Sequence, residues 1–211
     1  LMKDIFGSYT PSYVIHLAAQ AGVRYSIENP RSYLETNING TFELLEASRQ
    51  FPPEHLMIAS TSSAYGANNK MPYSEIDKAD HQMSFYAATK KATENFAHSY
   101  SHLYNIPVTM FRFFTVYGPW GRPDMALFKF TKSMLSNEKI DVYNHGNMKR
   151  DFTYIDDICS GILGLMHCIP VPNDSDPLLL NIDSLSPVAP FRLVNIGNST
   201  TTSLMEFIQE I

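Results

Sequence analysis

Cysteine, glycine and long apolar runs are all scarce in this 211-residue chain, and each shortage removes a class of function. The two cysteines, Cys159 and Cys168, sit in one helical-looking stretch. A disulfide scaffold needs more, and a thiolate metal site needs closer pairs with histidines, so both are expected as buried thiols in a reducing compartment. The seven histidines show no ligand spacing, so no metal is expected. Gly7 is the only glycine before Gly22, which excludes a Gly-x-x-Gly-x-x-Gly phosphate turn from the start of the chain. No apolar run approaches the roughly 20 residues of a membrane span. The opening Leu1-Met2-Lys3-Asp4 places charge inside the apolar start and does not read as a signal peptide. The net charge is −5 with no lysine or arginine run, so neither nucleic acid nor an anionic bilayer is an expected partner. With 44% hydrophobic residues the chain can build a real core in one or two domains, and the overall reading is a cytoplasmic globular protein.

What is present is an alternation of short apolar runs and amphipathic stretches. Strands are expected at 13–19 (buried), 55–60 and 108–114, with helices at 33–51 and at 84–103, the latter N-capped by Ser84. Strands alternating with helices imply an α/β fold, a parallel sheet with helices on both faces. Ligands of such sheets bind beyond the carboxyl ends of the strands, where Ala18 to Gln20, Thr61 to Ser63 and Thr115 to Tyr117 fall. After Pro119 the pattern predicts a helix at 126–137, a strand at 140–143, a helix at 152–169, a strand at 191–197 and a helix from 203 to 211. The stretch 169–190 holds five of the 13 prolines and reads as a surface loop.

Tyr86 stands four residues before Lys90, which puts both on one helix face. The ammonium favours the phenolate, so the tyrosine can act as a base near neutral pH. The spacing alone also fits a partly buried aromatic beside a solvated lysine. The hydroxyl-rich segment Ser60-Thr61-Ser62-Ser63-Ala64-Tyr65-Gly66 at a strand end tips the balance toward chemistry. His16 ends an apolar strand and reads as a satisfied core histidine.

Together Thr61, Tyr86 and Lys90 resemble the Ser/Thr–Tyr–Lys triad of extended short-chain dehydrogenase/reductases. Four further segments carry the resemblance along most of the chain. They are His16-Leu17-Ala18-Ala19-Gln20-Ala21-Gly22-Val23-Arg24, Asn37-Ile38-Asn39-Gly40-Thr41, Arg112-Phe113-Phe114-Thr115-Val116-Tyr117-Gly118-Pro119-Trp120-Gly121-Arg122-Pro123-Asp124 and Arg150-Asp151-Phe152-Thr153-Tyr154-Ile155-Asp156-Asp157. The third closely resembles NAD-dependent epimerases of nucleotide sugars, in particular UDP-glucuronate 4-epimerases. The resemblance implies a partial Rossmann-type sheet over 1–117 and, over 118–211, part of a small α/β domain for the nucleotide sugar, interleaved with the first. It implies that Tyr86 takes the proton of the sugar 4-hydroxyl, that hydride passes to NAD to give a 4-keto sugar, and that the ketone turns over and is reduced on its other face. Thr61 would hydrogen-bond the 4-oxygen, and Lys90 would bind the nicotinamide ribose. Ala18, Ala19, Gln20, Asn37 and Phe113 would complete the NAD contacts.

The same resemblance bears on the substrate. Related 4,6-dehydratases and UDP-glucuronate decarboxylases carry an acid in the hydroxyl segment, where this chain has Ser62 and Ser63. Arg122, a planar fork suited to a carboxylate, would grip the uronate with Thr115 and Ser63. Arg24 and Ser62 would add sugar contacts, Arg150 would hold the diphosphate, and Tyr143 would pack near the uracil. Three of these have plainer alternatives: a surface loop arginine for Arg122, a solvated charge for Arg150 and a plain strand aromatic for Tyr143. UDP-glucose 4-epimerisation is the rival activity, and an inactive fragment or split-enzyme subunit is the rival class. The family begins with a glycine-rich strand–turn–helix unit and continues further at its end, so the expectation is of a partial chain with the edge of 13–19 bare. Full-length relatives commonly dimerise through helices corresponding to 33–51 and 84–103, so a homodimer is expected.

Overall fold

The computed structural model describes residues 1–172 and 183–211, so part of the proline-rich stretch 169–190 lies outside the described residues. The chain opens with helix α1 (Met2–Tyr9), a short amphipathic element absent from the expected pattern. Strand β1 (Tyr13–His16) leads into two single-turn helices, α2 (Tyr25–Glu28) and α3 (Pro30–Tyr33). The continuous helix expected over 33–51 is instead three pieces, α3, a π-helical stretch Leu34–Asn39, and α4 (Gly40–Gln50). The Gly40 N–H reaches back to the Glu35 carbonyl, five residues away, which widens the turn by one residue and carries Asn37 into the interior.

Strand β2 (His55–Thr61) follows, then a 3-10 turn Ser62–Tyr65, α5 (Phe85–Tyr104) and β3 (Val108–Phe113). Ser84 caps α5 as expected, its Oγ accepting the Ala87 N–H at 3.0 Å. The remaining elements are β4 (Thr115–Tyr117), α6 (Ala126–Leu135), β5 (Lys149–Arg150), β6 (Phe152–Tyr154), α7 (Ile155–Met166), β7 (Phe191–Ile196), β8 (Thr202–Ser203) and α8 (Leu204–Glu210).

Two compact units divide the chain. The first comprises Leu1–Phe113 and Leu163–Asn195, the second Phe114–Ile162 and Ile196–Ile211; the sequence placed the break after 117. In the first, strands run in the order β1-β2-β3-β7, with β1/β2 and β2/β3 parallel. All seven residues of β2 are buried, and because alternate side chains point to opposite faces, both faces of the sheet's middle are covered. The main core joins Phe6, Leu44, Leu45, Leu56, Ile58, Ala97, Val108 and Met110. On the other face the buried His55 ring lies 2.8 Å from the Thr109 hydroxyl and 2.9 Å from the Met166 carbonyl. This is the parallel α/β sheet the sequence implied.

Strand β1 forms the bare sheet edge expected for 13–19, so this strand, read as buried, leaves Ile15 38% exposed and Leu17 just beyond it 53% exposed. The cysteines are a second correction. Cys159 and Cys168 are both exposed: the amphipathic α7 turns Ile158 and Ile162 inward instead of Cys159, and Cys168 lies just beyond that helix.

The second unit is held by aromatics. Phe152 stacks on Phe207 at 4.8 Å, and Tyr117 meets Tyr154 edge-on at 5.5 Å. β4 pairs with β6 in parallel and β5 with β8 antiparallel. The helix expected over 152–169 thus begins as strand, with α7 starting only at Ile155, where Asp156 and Asp157 complement the helix dipole. The strand expected at 140–143 is absent. Tyr143–Gly146 forms a 3-10 turn with Asn144 and His145 both at φ 51°, a left-handed pair that no strand accommodates. Glycine is required at Gly118, where φ is +137° and a Cβ would stand 2.6 Å from Ile155.

Candidate active site

The carboxyl ends of β1, β2 and β3 and the first turns of α5 place the candidate groups of the first unit. Thr61 closes β2, with Phe113 its register partner on β3. Its backbone is extended and its Oγ1 accepts the Ser63 N–H at 3.1 Å, capping the turn that carries Ser62 and Ser63. That bond occupies one oxygen lone pair, and the Thr61 hydroxyl keeps its proton for donation. Gly66 ends the turn at φ 59°, where a Cβ would strike the His81 carbonyl.

Tyr86 and Lys90 lie one turn apart on α5. Tyr86 is half-buried, its ring edge-on to Tyr33 with centroids 6.0 Å apart. Tyr33 is fully buried and donates its hydroxyl proton toward the Ala21 and Gly22 carbonyls, pinning the loop after β1. Lys90 is only 3% exposed. Burial pushes its pKa down to about 8, against an upward pull from Glu94. The ammonium therefore still predominates at neutral pH and favours negative charge developing on Tyr86. Glu94 does not pair with it, because its carboxylate goes to Arg112, Ser60 and Lys91. Lys90 thus places a largely buried ammonium, with three donors, one turn after Tyr86. The His16 ring, half-buried at the end of β1, has its pKa lowered by burial and then by the Lys90 charge, so it is held neutral.

Asn37 has a use the sequence did not reveal. Its Oδ1 accepts the Gln20 N–H at 2.8 Å, and its Nδ2 donates to the Gln20 carbonyl and to Thr89 Oγ1, each at 3.1 Å. Thr89 in turn donates to the Tyr86 carbonyl at 2.8 Å. The side chain expected on a cofactor is committed instead to locking the loop of Ala18, Ala19 and Gln20 onto the helix that carries Tyr86. Asn37→Ala should cost about 1–3 kcal/mol by orphaning buried polar groups. A thermal unfolding midpoint within a degree of wild type would contradict that. Arg24 is exposed at the start of α2.

In the second unit, Thr115 opens β4 and its N–H donates to the Asp151 carbonyl at 3.1 Å. Asp151 also accepts N–H bonds from Asn198 at 3.0 Å and Ser199 at 2.8 Å, fixing that turn beside Arg150. Arg150 is exposed on β5, and Tyr143 is exposed in its 3-10 turn, off any strand. Arg122 presents its planar fork to Asp124, with Nε 3.0 Å from Oδ1. The fork is thus engaged by an exposed neighbouring carboxylate, as the surface loop arginine alternative has it, and an acidic ligand would have to displace Asp124. Among the described residues no cluster of three or more His, Cys, Asp or Glu is arranged to hold a metal. Nor is any helix among them long and apolar enough to cross a membrane.

Buried Glu94 and Arg112 escaped the sequence reading. The available signal was an arginine inside the apolar run Val108-Thr109-Met110-Phe111-Arg112-Phe113-Phe114, which demands an acidic partner.

The chain is similar to known proteins over its whole length. The profile of the NAD dependent epimerase/dehydratase family matches residues 1–172. Protein CapI of Staphylococcus aureus is 54% identical over all of this chain and 63% of its own length. A probable UDP-glucuronate 4-epimerase of Rhizobium meliloti is 53% identical over 95% of this chain and 59% of its own. Among solved structures, the UDP-glucuronic acid 4-epimerase of Bacillus cereus, in complex with UDP-glucuronic acid and NAD, aligns with a TM-score of 0.81 and 31% identity. That alignment covers 99% of this chain and 60% of that one. The UDP-glucose 4-epimerase of Thermotoga maritima with UDP-glucose aligns with a TM-score of 0.82 and 30% identity, over 99% and 62%. The chain spans about three fifths of the length of these relatives.

Proposed function

The chain belongs to the NAD dependent epimerase/dehydratase family, and from that premise we propose that it serves NAD-dependent 4-epimerisation of a UDP-sugar, UDP-glucuronate to UDP-galacturonate. The observation that carries this reading is the buried Lys90 ammonium one turn after Tyr86, with the Glu94 carboxylate committed elsewhere. A buried cation of that kind suits the vicinal hydroxyls of a nucleotide ribose. A bound nicotinamide dinucleotide supplies a reversible acceptor for the C4 hydrogen and its electron pair. Ala18, Ala19, Gln20, Phe113 and Lys90 are the residues here that would hold its nicotinamide half.

The chain's own groups then do the following. Tyr86 accepts the proton of the sugar 4-hydroxyl, and Lys90 favours the phenolate form that makes this possible. Thr61 donates a hydrogen bond to the 4-oxygen, which serves alkoxide and ketone alike. The keto sugar turns over, and Tyr86 returns the proton when C4 is reduced on the opposite face, so no net oxidation results. Arg122 and Thr115 take the carboxylate, and Arg150 the diphosphate. The side chains Ser62 and Ser63 offer no general acid beside a β-keto acid that readily loses carbon dioxide. The same reading makes the protein cytoplasmic, and homodimeric through α4 and α5.

The test is to mix the chain with NAD and UDP-glucuronate and follow UDP-galacturonate by proton NMR. Formation of UDP-galactose from UDP-glucose, with UDP-glucuronate untouched, would reassign the substrate. Arg122→Ala should raise KM for UDP-glucuronate by about 10–100-fold, the worth of a charge-assisted fork, and leave UDP-glucose within about twofold. Equal effects on both sugars would remove the carboxylate assignment.

A further inference from the structure

Among the described residues of the first unit, one heavily bonded group has no role in the chemistry assigned above. Glu94 is 3% exposed and one turn beyond Lys90 on α5. Its carboxylate accepts from Ser60 Oγ at 2.6 Å, from Arg112 Nε at 2.9 Å and Nη2 at 2.7 Å, and from Lys91 Nζ at 3.0 Å. Arg112 is 1% exposed, and its guanidinium lies over the Tyr65 ring at 4.3 Å. Tyr65 donates to Asn195 Oδ1 at 2.7 Å and stacks on Tyr73 at 4.3 Å. Stability alone is a poor reason to keep such a pair, since apolar replacements of a buried ion pair are often neutral or better.

The placement suggests another reason. Ser60 immediately precedes Thr61, and Tyr65 ends the turn that Thr61 begins. One end of the segment is therefore hydrogen-bonded to Glu94, and the other end is stacked on its partner Arg112. Ser60 and Arg112 are also register neighbours across β2 and β3.

We propose that Glu94, through Arg112, is a positioning residue that clamps both ends of the Ser60–Tyr65 segment to α5 and so fixes where Thr61 stands relative to Tyr86 and Lys90. Its catalytic consequence rests on the epimerase reading; the clamp itself does not. The Ser63 N–H, bonded to Thr61 Oγ1, reports on the clamp directly through amide hydrogen exchange.

The variant is Glu94→Met with Arg112→Met, which removes both charges together and keeps an apolar filling. The expected result is that Ser63 exchanges about tenfold faster or more, while Met57 and Ile58 amides in β2 keep their protection. Where turnover is measured, kcat should fall more than KM rises, as for loss of an interaction realised at the transition state. A merely stabilising pair would change the Ser63 and β2 amides together. Ser63 exchange within about twofold of wild type would overturn the proposal. Should the double variant fail to fold, Ser60→Ala decides: severalfold faster Ser63 exchange supports the clamp, and unchanged exchange overturns it. If wild type turns over no UDP-sugar, the epimerase reading fails while the exchange result still decides the clamp.

Discussion

Lys90→Met should make the protein more stable at pH 7, by as much as about 3 kcal/mol, while removing the group that serves Tyr86. The direction follows from linkage. In the folded protein burial lowers the Lys90 pKa to about 8, against 10.5 as the ordinary value. Between those two pH values the unfolded chain holds a proton that the folded chain has released, so stability rises with pH across that window. Below about 8 the folded state carries a desolvated ammonium and the penalty is present in full. Methionine fills similar space without charge, which relieves the penalty and flattens the rise. Urea unfolding at pH 7 and again near pH 9.5 measures both effects. A variant less stable than wild type at pH 7, or with the same rise toward alkaline pH, would show that Lys90 is solvated after all.

Tyr86→Phe should lower epimerase turnover by about 10²–10⁴-fold, the usual worth of a positioned acid–base group. The edge-on contact with Tyr33, centroids 6.0 Å apart, involves the ring, which phenylalanine keeps, so this packing is retained. A variant within about threefold of wild type in kcat would move the proton transfer to another group. Lys90→Met therefore changes stability and its pH dependence as well as turnover, whereas the change made by Tyr86→Phe falls on turnover.

Much of the first unit was legible because its signals are local. Helix α5 announces itself through Ser84 and its periodic apolar face, and the Tyr86–Lys90 spacing rides on that helix. The end of β2 is marked by the change from apolar residues to hydroxyls. The Glu94–Arg112–Ser60 cluster was hidden because its members are far apart in sequence and meet only through the register of β2 against β3. Asn37 was recognised as a site residue, but its direction depends on a widened helical turn that no residue pattern spelled out. The failures after Pro119 are short elements. Ile140-Asp141-Val142-Tyr143 has strand composition, yet the left-handed pair Asn144 and His145 ends any extended run there. Phe152-Thr153-Tyr154 was absorbed into the helix that follows, although its residues favour a strand.

The widened turn at Leu34–Asn39 also sets how this protein tolerates changes in length. Surface loops accept insertions and deletions readily, because their ends are tethered loosely. Removing a single residue between Leu34 and Asn39 would let the helix close to ordinary α geometry with α4 kept in register, whereas a deletion inside α4 would rotate everything on one side of the cut by about 100°. Only the bulge would go, and with it the placement of Asn37 against Gln20 and Thr89. A deletion scan across residues 30–50 should therefore show its sharpest loss of folded protein at the buried leucines of α4 and a milder loss within those six residues, where the protein has stored a count rather than a contact.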